Sequence, residues 1–132
     1  FTEEEGEAVK KVLLSNKVNY WGGEKCKLFE RDFAKMVGSK FAISVSNGTV
    51  ALDLALFALG VGYNNGGSKT DQVIVTPRTF IATVSTIVNA GAVPIFADVD
   101  EKGNIDSKSL SSKVTSKTKE IIEKALKSAK LI

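Results

Sequence analysis

The sequence predicts an α/β fold built on a mostly parallel sheet. Three observations carry that expectation. Short β-prone apolar runs stand at 41–45, 73–75 and 93–97. Segments with helical spacing of apolar residues lie between and before them. The two alternate every roughly 20–30 residues, the rhythm of strands joined by right-handed helical crossovers. At 132 residues, 43% hydrophobic and 25% charged, the chain has the composition of a globular protein and is long enough to bury a core.

Each element has a local reason. Residues 3–15 place Ala8, Val9, Val12 and Leu13 on one helical face, and Thr2 with Glu5 matches a capping box. Residues 16–23 break that pattern at Gly22-Gly23. Helical spacing resumes over 24–37 through Leu28, Phe29, Phe33 and Met36, with Gly38 as a stop. Phe41-Ala-Ile-Ser-Val45 reads as a buried strand. It runs into Ser46-Asn-Gly-Thr49 and a strongly apolar helix over 50–59, closed by Gly60. Residues 63–70 are polar and glycine-rich, a surface loop. Residues 73–75 form a second strand ended by Thr76-Pro77, 79–90 a helix stopped by Gly91, and 93–97 a third strand. Asp98 and Asp100 lead into a turn near Gly103, as structural residues. Ile121, Ile122, Ala125, Leu126 and Ala129 keep helical spacing, so 119–132 reads as helix. The expected organisation is one partial domain over 1–132. Helices occupy 3–37, an α/β core 41–100, and a tail 107–132 that is helical at its end.

Composition excludes several chemistries. With no histidine there is no Ser-His or Cys-His nucleophile pair and no imidazole metal site. Acid–base work falls to Lys, Asp, Glu, Tyr or a bound cofactor. The lone Cys26 forms no internal disulfide and reads as a partly buried bystander. A net charge of +3 is too slight to argue for nucleic acid, and six lysines between Lys113 and Lys130 account for much of it. The longest apolar-rich run, 50–61, carries Asp53 and is too short to span a bilayer. No charged-then-apolar leader is evident, so the expected setting is cytoplasmic, with no membrane partner.

Ligands in open α/β sheets bind beyond the carboxyl ends of strands, where two loops fall. At residues 46–49 small polar residues join strand to helix. Free N–H groups and the helix dipole favour an anion there, Gly48 permits close approach, and the Thr49 hydroxyl adds a donor. The other reading is that Ser46 or Asn47 simply caps the helix. The turn lacks the endings of a P-loop and the three glycines of a dinucleotide fingerprint. In Thr76-Pro-Arg-Thr-Phe80, Phe80 offers a stacking face and Arg78 a partner for an anion. Alternatively, Phe80 packs in the core and Arg78 is solvated.

Taken in order, these pieces resemble a known family. Phe29-Glu30, Val45-Ser-Asn-Gly-Thr-Val-Ala-Leu52, Ala58-Leu-Gly-Val-Gly62, Asp71-Gln-Val-Ile-Val-Thr-Pro-Arg-Thr-Phe80 and Gly91-Ala-Val-Pro-Ile-Phe-Ala-Asp-Val-Asp100 look like the N-terminal part of the DegT/StrS family. Its members are pyridoxal-phosphate-dependent aminotransferases acting on nucleotide-linked keto-sugars in polysaccharide or glycan biosynthesis. The resemblance covers about residues 3–119 and implies a three-layer α-β-α large domain, the aspartate aminotransferase-like fold type I, here truncated. It implies that Gly48 and Thr49 hold the cofactor phosphate, with Asn47 in the same turn, and that Phe80 stacks on the pyridine ring. Tyr20, Trp21 and Arg78 become substrate contacts. It also implies an amino donor such as glutamate and a homodimer.

Two departures stand out. The family's Schiff-base lysine is expected beyond Ile132, so no catalytic residue is assigned in this chain and the chain alone is expected to be inactive. The loop 63–70 is longer than the family's tight turn. After Lys119 the resemblance implies another buried strand, with Glu120-Ile-Ile122 as its trace, while the spacing alone reads 119–132 as helix. Two other readings are a small module that captures a phosphorylated ligand without chemistry, and a non-catalytic relative that pairs with a complete subunit.

Overall fold

The structure is a computed structural model and describes residues 1–122. It divides into two compact units, Phe1–Ser44 and Val45–Ile132. In the first unit α1 (Glu3–Leu14) starts at the predicted capping box, with Thr2 and Glu5 satisfying each other's backbone N–H. Asn16, at φ 57°, turns the chain out of α1. The second helix, α2 (Lys25–Val37), ends at Gly38 in the left-handed conformation. Phe29 and Phe33 stack one turn apart on it, their ring centroids 5.8 Å apart.

In the second unit Asn47 caps α3 (Gly48–Ala58) by accepting from the Val50 N–H at 3.0 Å. A short 3-10 turn, Tyr63–Asn65, follows. Then come β1 (Gln72–Val75), α4 (Ile81–Asn89), β2 (Val93–Phe96), α5 (Ser107–Lys113) and β3 (Thr118–Ile121). The sheet is parallel in the order β2-β1-β3. Central β1 buries Val73, Ile74 and Val75 completely or nearly so, as a strand covered on both faces must. Val73 and Val75 join Leu56, Val61, Ile87, Ala90 and Ala92 in the core, so α3 and α4 cover that face. Pro94 has no N–H for a second ladder, and β2 is accordingly an edge among the described residues.

Three expectations are corrected. Residues 41–45 are not a strand. A strand exists only through a ladder, and among the described residues no strand pairs with this run. Phe41 and Ile43 stay exposed, and the Ser44 N–H donates to a carboxylate of Glu30 at 2.7 Å instead. Conversely, residues 119–121, which spacing alone reads as the start of a helix and the resemblance as the trace of a strand, extend β3. Pairing with β1 satisfies backbone groups that helical periodicity alone could not anticipate, and the register shifts between Gln72 and Val73 to admit it. The rest of the predicted terminal helix lies outside the described residues. One short helix, α5, was not anticipated; Asp106 caps it by accepting from Lys108 N and Ser109 N. Cys26 is exposed, not partly buried, because it faces outward from the first turn of α2.

The loop between α3 and β1 is ordered by one buried carboxylate. Asp71 Oδ2 accepts from Gly62 N at 3.0 Å and Ser68 N at 2.9 Å. These bonds, the Ser68 amide first, hold its pKa below the usual carboxylate value. The same loop ties the end of α3 to the end of α4: Asn64 N donates to Ala90 O, and the Asn64 side chain to Asn89 O.

Candidate functional site

The second unit holds one group of predicted site residues. Asn47 is used as the helix cap, so its side-chain oxygen is committed to Val50. That leaves Gly48 and Thr49 at the helix start, and their N–H groups have no protein acceptor among the described residues. A Cβ built on Gly48 would meet nothing within 4 Å, so the backbone is approachable from outside. The Thr49 side chain is half-buried, and its hydroxyl has no hydrogen-bond partner among the described residues. The start of this 11-residue apolar helix carries two free amides and a hydroxyl, with open space around Gly48, a cradle suited to a phosphate.

Phe80 stands at the N-terminal end of α4, and its ring is 75% exposed, so it does not pack in the core. Since α3 and α4 pack on one another, the two helix starts belong to one layer over the sheet. Among the described residues no hydrogen bond or ring contact joins Phe80 to the turn at Asn47–Thr49. Arg78 is exposed and leans on the turn at Gly103, where an added Cβ would come 3.3 Å from its Nη1. Beside it, a cleft of about 230 Å³ opens past the end of β1, lined by Thr76, Thr79, Thr83 and Asn104. Asp98 and Asp100 are structural. Asp98 Oδ2 accepts from the Ser109 hydroxyl, and Asp100 Oδ1 accepts from Lys102 N and Asn104 N, closing the turn.

In the first unit Tyr20 and Trp21 occupy a tight turn. Gly22 N and Gly23 N both donate to Asn19, and a Cβ on Gly23 would sit 2.5 Å from Lys17 O, so only glycine closes it. The indole of Trp21 is 88% exposed and meets the Tyr20 ring edge-on at 5.7 Å. The Tyr20 hydroxyl donates to Glu30 Oε2 at 3.1 Å, while Glu30 Oε1 accepts from Ser44 N and Ser44 Oγ. These contacts hold Glu30 below its usual pKa, the Ser44 backbone N–H foremost. The Glu30 hydrogen bond raises the Tyr20 pKa in turn. Sequence reasoning quoted Glu30 within a motif but gave it no role. The available signal was a carboxylate placed directly after an apolar position of α2.

Residues 1–126 match the DegT/DnrJ/EryC1/StrS aminotransferase family. The chain is 45% identical over 101 residues to the spore coat polysaccharide biosynthesis protein SpsC of Bacillus subtilis, covering 76% of this chain and 24% of that protein. It is 41% identical over 117 residues to the GDP-perosamine synthase of Escherichia coli O157:H7, covering 88% and 29% respectively. Among solved structures, an aminotransferase from Psychrobacter cryohalolentis superposes with a TM-score of 0.83 at 54% identity, over 92% of this chain and 29% of that one. This chain thus spans only 24–29% of the length of these three proteins. Its parallel sheet with covering helices is the α/β fold of the pyridoxal-phosphate-dependent aminotransferases, and similar solved chains exist in PLP and PMP forms. On both sequence and fold, the chain belongs to the DegT/DnrJ/EryC1/StrS aminotransferase family.

Proposed function

We propose that this chain forms part of the catalytic domain of an aminotransferase that moves an amino group onto a nucleotide-linked keto-sugar in polysaccharide or glycan biosynthesis. The observation that carries the reading is the start of α3. Gly48 and Thr49 offer unclaimed amides, open space and a hydroxyl, while Phe80 stands exposed at the start of the neighbouring helix. These residues fit pyridoxal phosphate: the α3 terminus binds its phosphate and Phe80 covers its ring. When bound, the cofactor would supply an aldehyde carbon that carries the amino group from donor to acceptor and a ring that withdraws electrons. The protein's part here is to bind, orient and keep one ring face from water. Asn47 contributes by fixing the helix start and not by contact. Tyr20 and Trp21 contact the nucleotide-linked substrate, and Arg78 attracts its negative charge. The amine that bonds the cofactor comes from outside this chain, so residues 1–132 alone bind weakly and do not turn over. Glutamate as donor, a homodimer and a cytoplasmic setting complete the proposal.

The test is calorimetric titration of the chain with pyridoxal phosphate and, separately, inorganic phosphate. Saturable binding of both is expected, lost in Gly48→Trp, whose indole fills the open space. Thr49→Val, which deletes one donor, should weaken both by about fivefold to tenfold. A Gly48→Trp variant that still binds pyridoxal phosphate would falsify the assignment. A plain phosphate-capturing module would bind the two ligands equally, whereas the aminotransferase reading requires an added contribution from the ring.

A further inference from the structure

We propose that Glu30 is a positioning residue, whose carboxylate grips the Tyr20–Trp21 turn and so presents both aromatic rings in a set orientation to the substrate. This deepens the proposed function and rests on its assignment of that turn to the nucleotide-linked sugar.

Tyr20 is held by α2 at two points one turn apart. Lys27 Nζ lies 5.6 Å from the ring centroid, and Glu30 Oε2 accepts from the hydroxyl at 3.1 Å. The second oxygen of Glu30 accepts from both Ser44 N and Ser44 Oγ, at 2.7 and 2.9 Å. A carboxylate bonded at both oxygens cannot rotate away from either partner without losing charge-assisted bonds. It is thereby a fixed anchor and not a mobile surface acid. The ring of Tyr20 then braces the indole edge-on, and Asn19 with Gly23 closes the turn behind them. Trp21 gains nothing from burial, at 88% exposed, yet the turn beneath it is tied at several points. A large aromatic on an ordered turn gives a ligand contact area at low entropic cost. Groups facing the Tyr20–Glu30 pair are Lys27 and Cys26 from α2 and Ser44 from the following segment.

Trp21 is the sole tryptophan, so its fluorescence reports this turn alone. The experiment measures acrylamide quenching and anisotropy of Trp21 in the 132-residue chain and in Glu30→Ala, Tyr20→Phe and the double variant, with amide exchange at Ser44. Glu30→Ala is expected to raise the quenching constant about twofold and to speed Ser44 exchange at least about tenfold. Tyr20→Phe should reproduce the Trp21 change while leaving Ser44 protected, and the double variant should add nothing at Trp21. Glu30→Gln, which keeps an acceptor, should restore part of both readings.

A folded Glu30→Ala chain with unchanged Trp21 and Ser44 overturns the positioning role. So does a Glu30→Ala effect on Trp21 that persists undiminished in the Tyr20→Phe background. If Glu30→Ala loses its far-UV dichroism, Tyr20→Phe decides: an unchanged Trp21 overturns the proposal. Separately, UDP-N-acetylglucosamine is added to the natural chain. Quenching of Trp21 that weakens in Tyr20→Phe supports presentation to substrate. No response, with the brace intact, overturns the substrate assignment and leaves a structural brace only.

Discussion

Gly62→Ala is expected to be among the most damaging small substitutions in this chain, and its size can be worked from the structure. Gly62 lies at φ 87°, ψ 156°, a region that essentially only glycine occupies. An alanine there carries a backbone cost of about 1–3 kcal/mol. Its Cβ would fall 2.2 Å from Ala90 O and 2.8 Å from Ala90 C, atoms of a helix end that no rotamer change can move aside. Overpacking against fixed backbone adds about 1–3 kcal/mol, so the total is about 2–6 kcal/mol. The site matters because Gly62 N–H bonds to Asp71 and its neighbours Tyr63 and Asn64 bond to the end of α4. Displacing it separates α3 from α4, the two helices whose starts carry Gly48, Thr49 and Phe80. The assay is urea unfolding followed by far-UV dichroism. With a slope of about 1.5 kcal/mol per molar urea, the midpoint should drop by about 1–4 M or the variant should be unfolded without urea. Gly66→Ala is the control: φ is 89° but nothing lies within 4 Å of its added Cβ, so only the left-handed cost of about 1–2 kcal/mol applies. If Gly62→Ala were no worse than Gly66→Ala, or lost under about 1 kcal/mol, the argument from close approach would be refuted.

Three further outcomes follow from the same geometry. Phe80→Ala should weaken pyridoxal phosphate by about twofold to tenfold while leaving inorganic phosphate unchanged, because a stacked ring is worth about 0.5–1.5 kcal/mol; calorimetry checks it. Asn47→Ala should cost about 1 kcal/mol of stability by removing the cap on Val50 N–H, read as a urea midpoint shift, with Asn47→Gly much milder. Glu30 and Asp71 are both held below their ordinary values of 4.5 and 3.8, by backbone N–H groups of Ser44 and of Ser68 respectively. The unfolded chain therefore binds more protons, and the stability they contribute is full above those values and is lost as pH falls through the folded ones. The urea midpoint should fall with acid, and Asp71→Asn should flatten that fall.

What was legible in the sequence follows from what each signal depends on. The ends of α1 and α2 were readable because a capping box and a glycine in the left-handed region act within one turn of chain. The core of β1 was readable because three consecutive apolar β-branched residues fit a strand covered on both faces. Strand 41–45 failed on the same criterion, since apolarity announces a wish for burial and says nothing of a ladder partner. At 119–121 helical spacing erred in the opposite direction, although the resemblance kept the trace of a strand there. The Ile121-Ile122 pair suits a helix face, yet the open edge of β1 supplied hydrogen bonds that a helix start there could not match.

The site shows the same division between local and distant causes. A phosphate cradle at Gly48 and Thr49 can be argued from four consecutive residues, because free amides at a helix start need only the helix. Even there, sequence left two uses of Asn47 open, and the bond to Val50 assigns it to capping while freeing its neighbours for a ligand. Glu30 is different in kind. Its importance lies in bonds to Tyr20, ten residues before it, and Ser44, fourteen after, and neither spacing has a periodicity that would signal a contact. The short motif Phe29-Glu30 marks the carboxylate, but nothing in so short a window names the two distant segments it organises. Residues of this sort come to light only when the backbone has been traced through the turn at Asn19 and back past α2.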